Sequence, residues 1–323
     1  MSTHPRDLPL ADARRLVERA VDKAEQLGLR GAIAVVGASG ALVTASRLDR
    51  GGAGGMARAR SKAWICATQQ VPSAEHLRRM TTLPAPISAG FVAASPEALF
   101  PGAGGLPVTE DGHVVGGIAA SGATVSPFLP AGVSPEVVSA DGSPANPEDL
   151  LIAYALGIPY DGQHGDDTAR WRERFGELVV TPEQSLGMRA APSASAQREL
   201  AWATRLCDAV IAAASRLGER VSVAVVDGGG DPVREDRMDD AVAAGVEIAR
   251  ATASTAARFG VASGALHERY GDATATLGAL GPAAFLAAPG GVPLVEGGRV
   301  VGGLGVGGAS PDLCARLAAE AAA

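Results

Sequence analysis

Apolar residues recur at helical spacing in two distant stretches of the chain. Leu10, Ala11, Leu16, Ala20, Val21 and Ala24 form the first set, and Leu206, Val210, Ile211, Ala214 and Leu217 the second. Each stretch is followed by two short β-type runs. In the first these are residues 32–36 and 41–46, joined through Ala38-Ser39-Gly40. In the second they are residues 222–226 and 232–235, joined across Gly228-Gly229-Gly230. A glycine between two such runs is a hairpin signal, because it supplies the positive φ of a tight turn. An alanine-rich helical pattern follows, residues 57–70 or 242–259, and then a poorly patterned loop. A second hairpin comes next: residues 106–109 and 113–119 turn at Asp111-Gly112, and its later counterpart turns at Gly297-Gly298. A closing helix is predicted over 312–322. In the first stretch it is delayed by a Pro/Gly/Ser-rich insertion, residues 123–146, and resumes at 147–156 behind the N-cap candidate Asn146.

The two stretches are copies of one another. Residues 31–49 align with 221–239, placing Arg47 on Arg237 and Asp49 on Asp239. Residues 104–122 align with 290–308, with ten of the 19 positions identical. Two separate blocks in the same order and near-constant spacing identify an internal duplication. The copies are assigned to residues 1–165 and 195–323, with 166–194 as a linker carrying one helix around 168–178. Hairpin, helix, hairpin, helix lacks the crossovers of a parallel sheet and predicts an α+β fold with an antiparallel sheet.

Composition narrows the picture further. Aromatics are only 4% of the chain against 47% apolar residues overall, so the cores must be built from Ala, Val, Leu and Ile. A formal net charge of −7 argues against nucleic acid or an anionic membrane as partner. No apolar run reaches the ~18 residues of a membrane span, and residues 1–7 lack the apolar core of a signal peptide. Cys66, Cys207 and Cys314 are far apart and form no CxxC motif, which suits a reducing, cytoplasmic setting.

The ordered motifs resemble those of the GlcG/HbpS-like, or haem-degrading-domain, family. Copy two carries Val225-Val226-Asp227-Gly228-Gly229-Gly230, Arg237-Met238-Asp239, Gly290-Gly291-Val292-Pro293 and Gly305-Val306-Gly307-Gly308. Copy one carries Arg47-Leu48-Asp49, Lys62-Ala63, Gly104-Gly105-Leu106-Pro107, Asp111-Gly112 and Ser121-Gly122. The resemblance implies two tandem profilin-like α/β/α sandwiches, each around a five-stranded antiparallel sheet. It also implies oligomers and association with haem or corrinoid-related ligands. The copies depart from the pattern in complementary ways. Copy one has Gly37 where copy two keeps Asp227, and copy two has Arg250 or Thr252 where copy one has Lys62.

Several residues invite chemistry, each with a structural alternative. Arg47/Asp49 and Arg237/Asp239, if on a strand, would share a face, and could grip a carboxylate and position a base or simply pair. Asp227 could serve as a base or hold a turn. Lys62 could be catalytic or could lie along the helix surface. The candidate catalytic set is Asp227, Arg237, Asp239 and Lys62. Arg47, Asp49, Gly104, Gly105, Gly290 and Gly291 are the candidate substrate contacts, placed where one copy meets the other.

Of His4, His76, His113, His164 and His267, none recurs between copies, which argues against a constitutive haem carrier. The run Asp161, His164, Asp166, Asp167 matches no recognised metal loop, and no metal site is assigned. Gly303-x-Gly305-x-x-Gly308 matches the dinucleotide fingerprint only formally, because it lies in a hairpin strand near the chain end. The reading favours a tandem pseudo-dimer with a pocket for a small organic molecule. An enzyme without a redox cofactor (lyase, isomerase or hydrolase) leads, a haem or tetrapyrrole binder is the alternative, and a structural subunit is third. No cofactor follows from the residues themselves, and haem enters only through the resemblance.

Overall fold

The computed structural model describes residues 8–95, 97–100, 102–123, 134–138, 144–159, 198–277 and 285–323. The linker helix expected around 168–178 lies outside the described residues. The chain divides into two compact units, and the division does not follow the repeat boundary. The first comprises Met1–Ala41 and Leu48–Ala196, the second Leu42–Arg47 and Gln197–Ala323.

In the first unit α1 (Leu10–Gln26) leads into β1 (Ala32–Gly37). After α2 (Gly54–Gln69) come two helices that the pattern did not reveal, α3 (Ser73–Thr82) and α4 (Ala85–Ala94). Both start behind a proline, Pro72 and Pro84. They escaped the periodicity because α3 is short and α4 has no buried face to imprint one. Then β3 (Gly105–Glu110) and β4 (His113–Ser121) form the expected hairpin, with positive φ at both Asp111 and Gly112. The strands run in the order β3-β4-β1, all antiparallel. Within the expected insertion, β5 (Ser134–Val138) pairs with β6 (Pro144–Ala145). The helix α5 (Pro147–Leu156) starts at Asn146, whose side chain accepts from the Glu148 amide at 2.9 Å, as the N-cap reading required.

The second unit takes one strand from the first repeat. Its sheet, antiparallel throughout, has the order β2 (Leu42–Arg47), β8 (Pro232–Arg237), β7 (Ser222–Asp227), β10 (Arg299–Gly307), β9 (Gly291–Glu296). β2 comes from copy one; β7, β8, β9 and β10 come from copy two. Among the described residues each repeat thus contributes four strands to these sheets, where a five-stranded sheet of its own was expected. Around the sheet lie α6 (Arg198–Arg216), α7 (Gly245–Phe259), the short α8 (Leu266–Tyr270) and α9 (Thr274–Leu277), and α10 (Pro311–Ala322).

Strand alternation builds three layers in this unit. Val223, Val225, Leu304 and Val306 point to one face and pack with Ala203, Cys207, Val210 and Leu317 of α6 and α10. Ala224 and Val226 point to the other and meet Ala249, Ala253 and Ala257 of α7. On that second face β10 presents Gly303, Gly305 and Gly307, where an added Cβ would run into the backbone of α7. The α/β/α layering expected from the family resemblance is therefore present in this unit. No helix among the described residues is long and apolar enough to cross a membrane.

The glycine contact yields a stability test. Gly305→Ala drives a methyl group into the Ala249 carbonyl and should cost on the order of 3 kcal/mol or more, the upper range of overpacking. Gly52→Ala, with nothing within 4 Å, should stay within about 0.5 kcal/mol of the parent in urea unfolding.

Candidate functional site

In the first unit the polar centre is built on Lys62 of α2. Its side chain is buried; Nζ donates to Glu148 Oε2 at 2.5 Å and to the Ala120 carbonyl at 3.2 Å. Glu148 Oε1 accepts from the Gly122 amide at 2.8 Å and the Ala123 amide at 3.2 Å. The next residue, Asp149, accepts from the Gly104 amide at 2.6 Å. Gly104 has φ +97, and a Cβ there would strike Glu148. The Gly-Gly-x-Pro loop, the alanine-rich helix and the first turn of α5 therefore meet around one buried ion pair. Lys62 was anticipated from sequence, whereas Glu148 and Asp149 were not. Their signal was the acidic first turn behind Asn146, which reads as ordinary helix-end electrostatics until burial is known.

The second unit gathers a larger set of buried charges. Arg234, Glu235, Asp236 and Arg237 are all buried along β8. Arg234 binds Asp236 in two hydrogen bonds, at 2.9 and 3.0 Å, and donates to Ser46 at 2.7 Å; Thr44 donates to Asp236 at 2.7 Å. Glu235 pairs with Arg250 at 2.5 Å.

Arg47 pairs with Asp227 Oδ2 at 2.5 Å, while Asp227 Oδ1 accepts from the Gly229 and Asp231 amides at 2.9 and 3.1 Å. Asp227 thus holds its turn and an arginine together. Arg237 donates to the carbonyls of Leu42 and Ala241 at 2.9 and 3.2 Å. The strands end at Arg47 and Arg237, so Asp49 and Asp239 lie beyond them, half-buried and exposed respectively. They therefore do not share a strand face with those arginines. Gly290 and Gly291 tie the second copy's loop into its sheet. The Gly290 carbonyl accepts from Val306, and Gly291 donates to Ser263 Oγ at 3.0 Å.

The structure also settles which residue of copy two stands at Lys62. Gly40 lies against Trp64 and Gly230 against Ser254, so the helices keep the register of the preceding hairpins. Thr252 is the counterpart of Lys62, and its hydroxyl donates back to the Ile248 and Ala249 carbonyls. Where Gly104 faces Glu148, Gly290 faces Cys314 at 3.5 Å. The ion pair of copy one is neutral in copy two.

A different feature occupies residues 73–100. Leu83, Ile87, Phe91, Val92 and Phe100 are all exposed, and α4, which carries three of them, buries no residue at all. Beneath Phe91, at 5.6 Å between ring centroids, lies the buried imidazole of His76. Its Nε2 has no hydrogen-bond partner. Burial, reinforced by the positive charge of Arg79, holds the imidazole below its ordinary pKa and keeps it neutral. Arg58 and Lys62 approach the Phe100 ring at 5.9 and 5.8 Å. His113 and His267 are exposed, and His4 and His164 lie outside the described residues. The three cysteines are buried and form no disulfide, and burial pushes the thiols of Cys66 and Cys314 upward. Among the described residues no cluster of three metal-ligating side chains occurs.

These features define a tandem α/β protein with a charged centre in each unit and an apolar platform on the first. The haem-degrading protein HbpS-like family model matches residues 8–126 and 199–323, so the chain belongs to that family in two tandem copies. Solved structures resemble single repeats. Streptomyces reticuli HbpS, as a double mutant, is 35% identical over 38% of this chain and 83% of its own, with a TM-score of 0.35. Klebsiella pneumoniae protein ORFY is 26% identical over 38% and 86%, with a TM-score of 0.36. A PduOC–haem complex is 27% identical over 37% and 88%, with a TM-score of 0.33. No curated protein matches the chain.

The buried pair predicts a double-mutant result. Lys62→Met alone strands a buried carboxylate and should cost about 3–5 kcal/mol. Adding Glu148→Gln, which keeps an oxygen for the Gly122 and Ala123 amides, should restore a large part of that loss in urea unfolding.

Proposed function

We propose that the protein binds a flat, largely apolar small molecule with an anionic edge, of the haem type, through its first repeat. One observation carries the reading: α4 buries no residue and exposes Ile87, Phe91 and Val92. Contiguous exposed apolar surface of this kind on a chain of net charge −7 marks a binding site. Its chemistry suits a macrocycle, because Ile87, Phe91 and Val92 offer apolar area while Arg58 supplies a cation beside Phe100. Membership of an HbpS-like, haem-degrading family supports the same ligand class. Bound haem would supply a redox-active iron. The chain's own residues would hold its faces and its acidic edge.

A second reading, an enzyme independent of redox cofactors, is favoured by the burial of Lys62 with Glu148 beside Phe100. Coupled buried groups of this kind are a feature of acid–base sites as well as of structural pairs. In that reading Asp227, Arg237 and Asp239 remain the further catalytic candidates, with Arg47, Asp49 and the paired glycines as substrate contacts.

Haemin titration of the full chain separates the two. The first reading expects a saturable Soret change at one haem per chain, weakened roughly tenfold or more by Ile87→Glu on the exposed helix. A chain that gives no Soret change at any haemin concentration would falsify it and leave the enzymatic reading.

A further inference from the structure

We infer that His76 is the side chain that ligates the iron of the bound group, in a cleft formed when Phe91 moves off the imidazole. This rests on the haem-type reading above and assigns it a ligand.

The two repeats supply the comparison. After α2 the chain turns at Gln70, with φ 57, and α3 is anchored where Ser73 Oγ donates to the Gly105 carbonyl at 3.4 Å. In the second repeat Ser263 Oγ donates to the Gly291 carbonyl at the same 3.4 Å. Three residues beyond the anchor the repeats diverge. Copy two has Leu266, fully buried, and copy one has His76, also buried. A leucine therefore fills this position in the same fold. Replacing it with a histidine whose Nε2 finds no partner costs roughly 1–3 kcal/mol of unsatisfied polar burial. Packing does not explain a side chain that leucine replaces without that cost. An orphaned ring nitrogen in a well-bonded protein calls for a ligand or another specific cause.

The surroundings fit a metal-bearing ligand. The imidazole is held neutral, which is the form that binds iron. Of the described histidines it alone is buried, so an iron bound here would be shielded from water. Its cover is Phe91, on a helix that buries no residue of its own. When ferric haemin binds, the imidazole lone pair replaces the water or hydroxide that the iron carries, and no electron changes hands.

The test compares the full chain with His76→Leu, which gives the first repeat the residue its sister already accommodates. Urea unfolding should show this variant at least as stable as the parent. The parent's haemin complex should carry the electron paramagnetic resonance and Soret signature of nitrogen ligation. His76→Leu should lose that signature and bind haemin more than about tenfold more weakly, since even outer-shell partners of a ligand cost that much when removed. Free imidazole added to the variant complex should restore the nitrogen signature. A variant complex with the parent's spectrum and affinity overturns the assignment while leaving haem binding intact. A parent chain that forms no haemin complex overturns both.

Discussion

In each unit a helix lies so close to a strand that the two backbones touch, because the strand offers glycine at the points of contact. Gly117 of β4 faces the Ala63 carbonyl and the Ala67 amide, and Gly303, Gly305 and Gly307 of β10 face Ala253, Ala249 and Gly245. A side chain at any of these strand positions would push the helix outward. The constraint reaches back into composition. A helix at this distance can carry only small residues on its inner face, which is why Ala59, Ala63 and Ala67, and later Ala249, Ala253 and Ala257, are all buried. It also fixes what lies to the side of the contact. Lys62 and Thr252 leave the helix toward the glycine loops, so the polar chemistry of each unit starts from a backbone contact rather than from a flexible arm.

The fold was legible largely because turns and close contacts demand particular residues. Gly40, Gly112, Gly230 and Gly298 all adopt positive φ, and their spacing marked the hairpins correctly. What the pattern could not show was any element without a two-sided environment. The helix α4 has no buried face; β8 was expected as a strand, but its burial of Arg234, Glu235, Asp236 and Arg237 was hidden in a run that reads as solvent-facing. The candidate residues were mostly drawn from the motifs, and the structure ties them into ion pairs and backbone bonds: Arg47 with Asp227, Arg237 with two carbonyls, Lys62 with Glu148. Searching for residues shared by the copies discounted every histidine. His76 is informative for the opposite reason, because its counterpart is Leu266.

Duplication frees one copy to depart from the other without loss of the fold. Copy two answers the Lys62–Glu148 pair with Thr252 and Cys314, neutral groups that need no counter-charge. Burying a paired charge is seldom stabilising relative to apolar packing, so the neutral arrangement is the cheaper scaffold. Copy two has its own buried charges along β8, whereas copy one holds the Lys62–Glu148 pair, an unsatisfied imidazole and the exposed apolar helix. The two copies thus keep the same backbone contacts while differing in where their buried charges lie.

The strand Leu42–Arg47 makes the second unit depend on the first repeat. It is encoded in the first repeat but belongs to the sheet of the second unit, where Thr44, Ser46 and Arg47 satisfy Asp236, Arg234 and Asp227. The stretch joining the repeats is the obvious seam in the gene, yet a break there would not release a complete second unit. Its β8 would lose the strand paired along one edge and, with Thr44 and Ser46, the hydroxyls bound to Asp236 and Arg234. The second repeat is therefore completed by a strand that only the first repeat encodes.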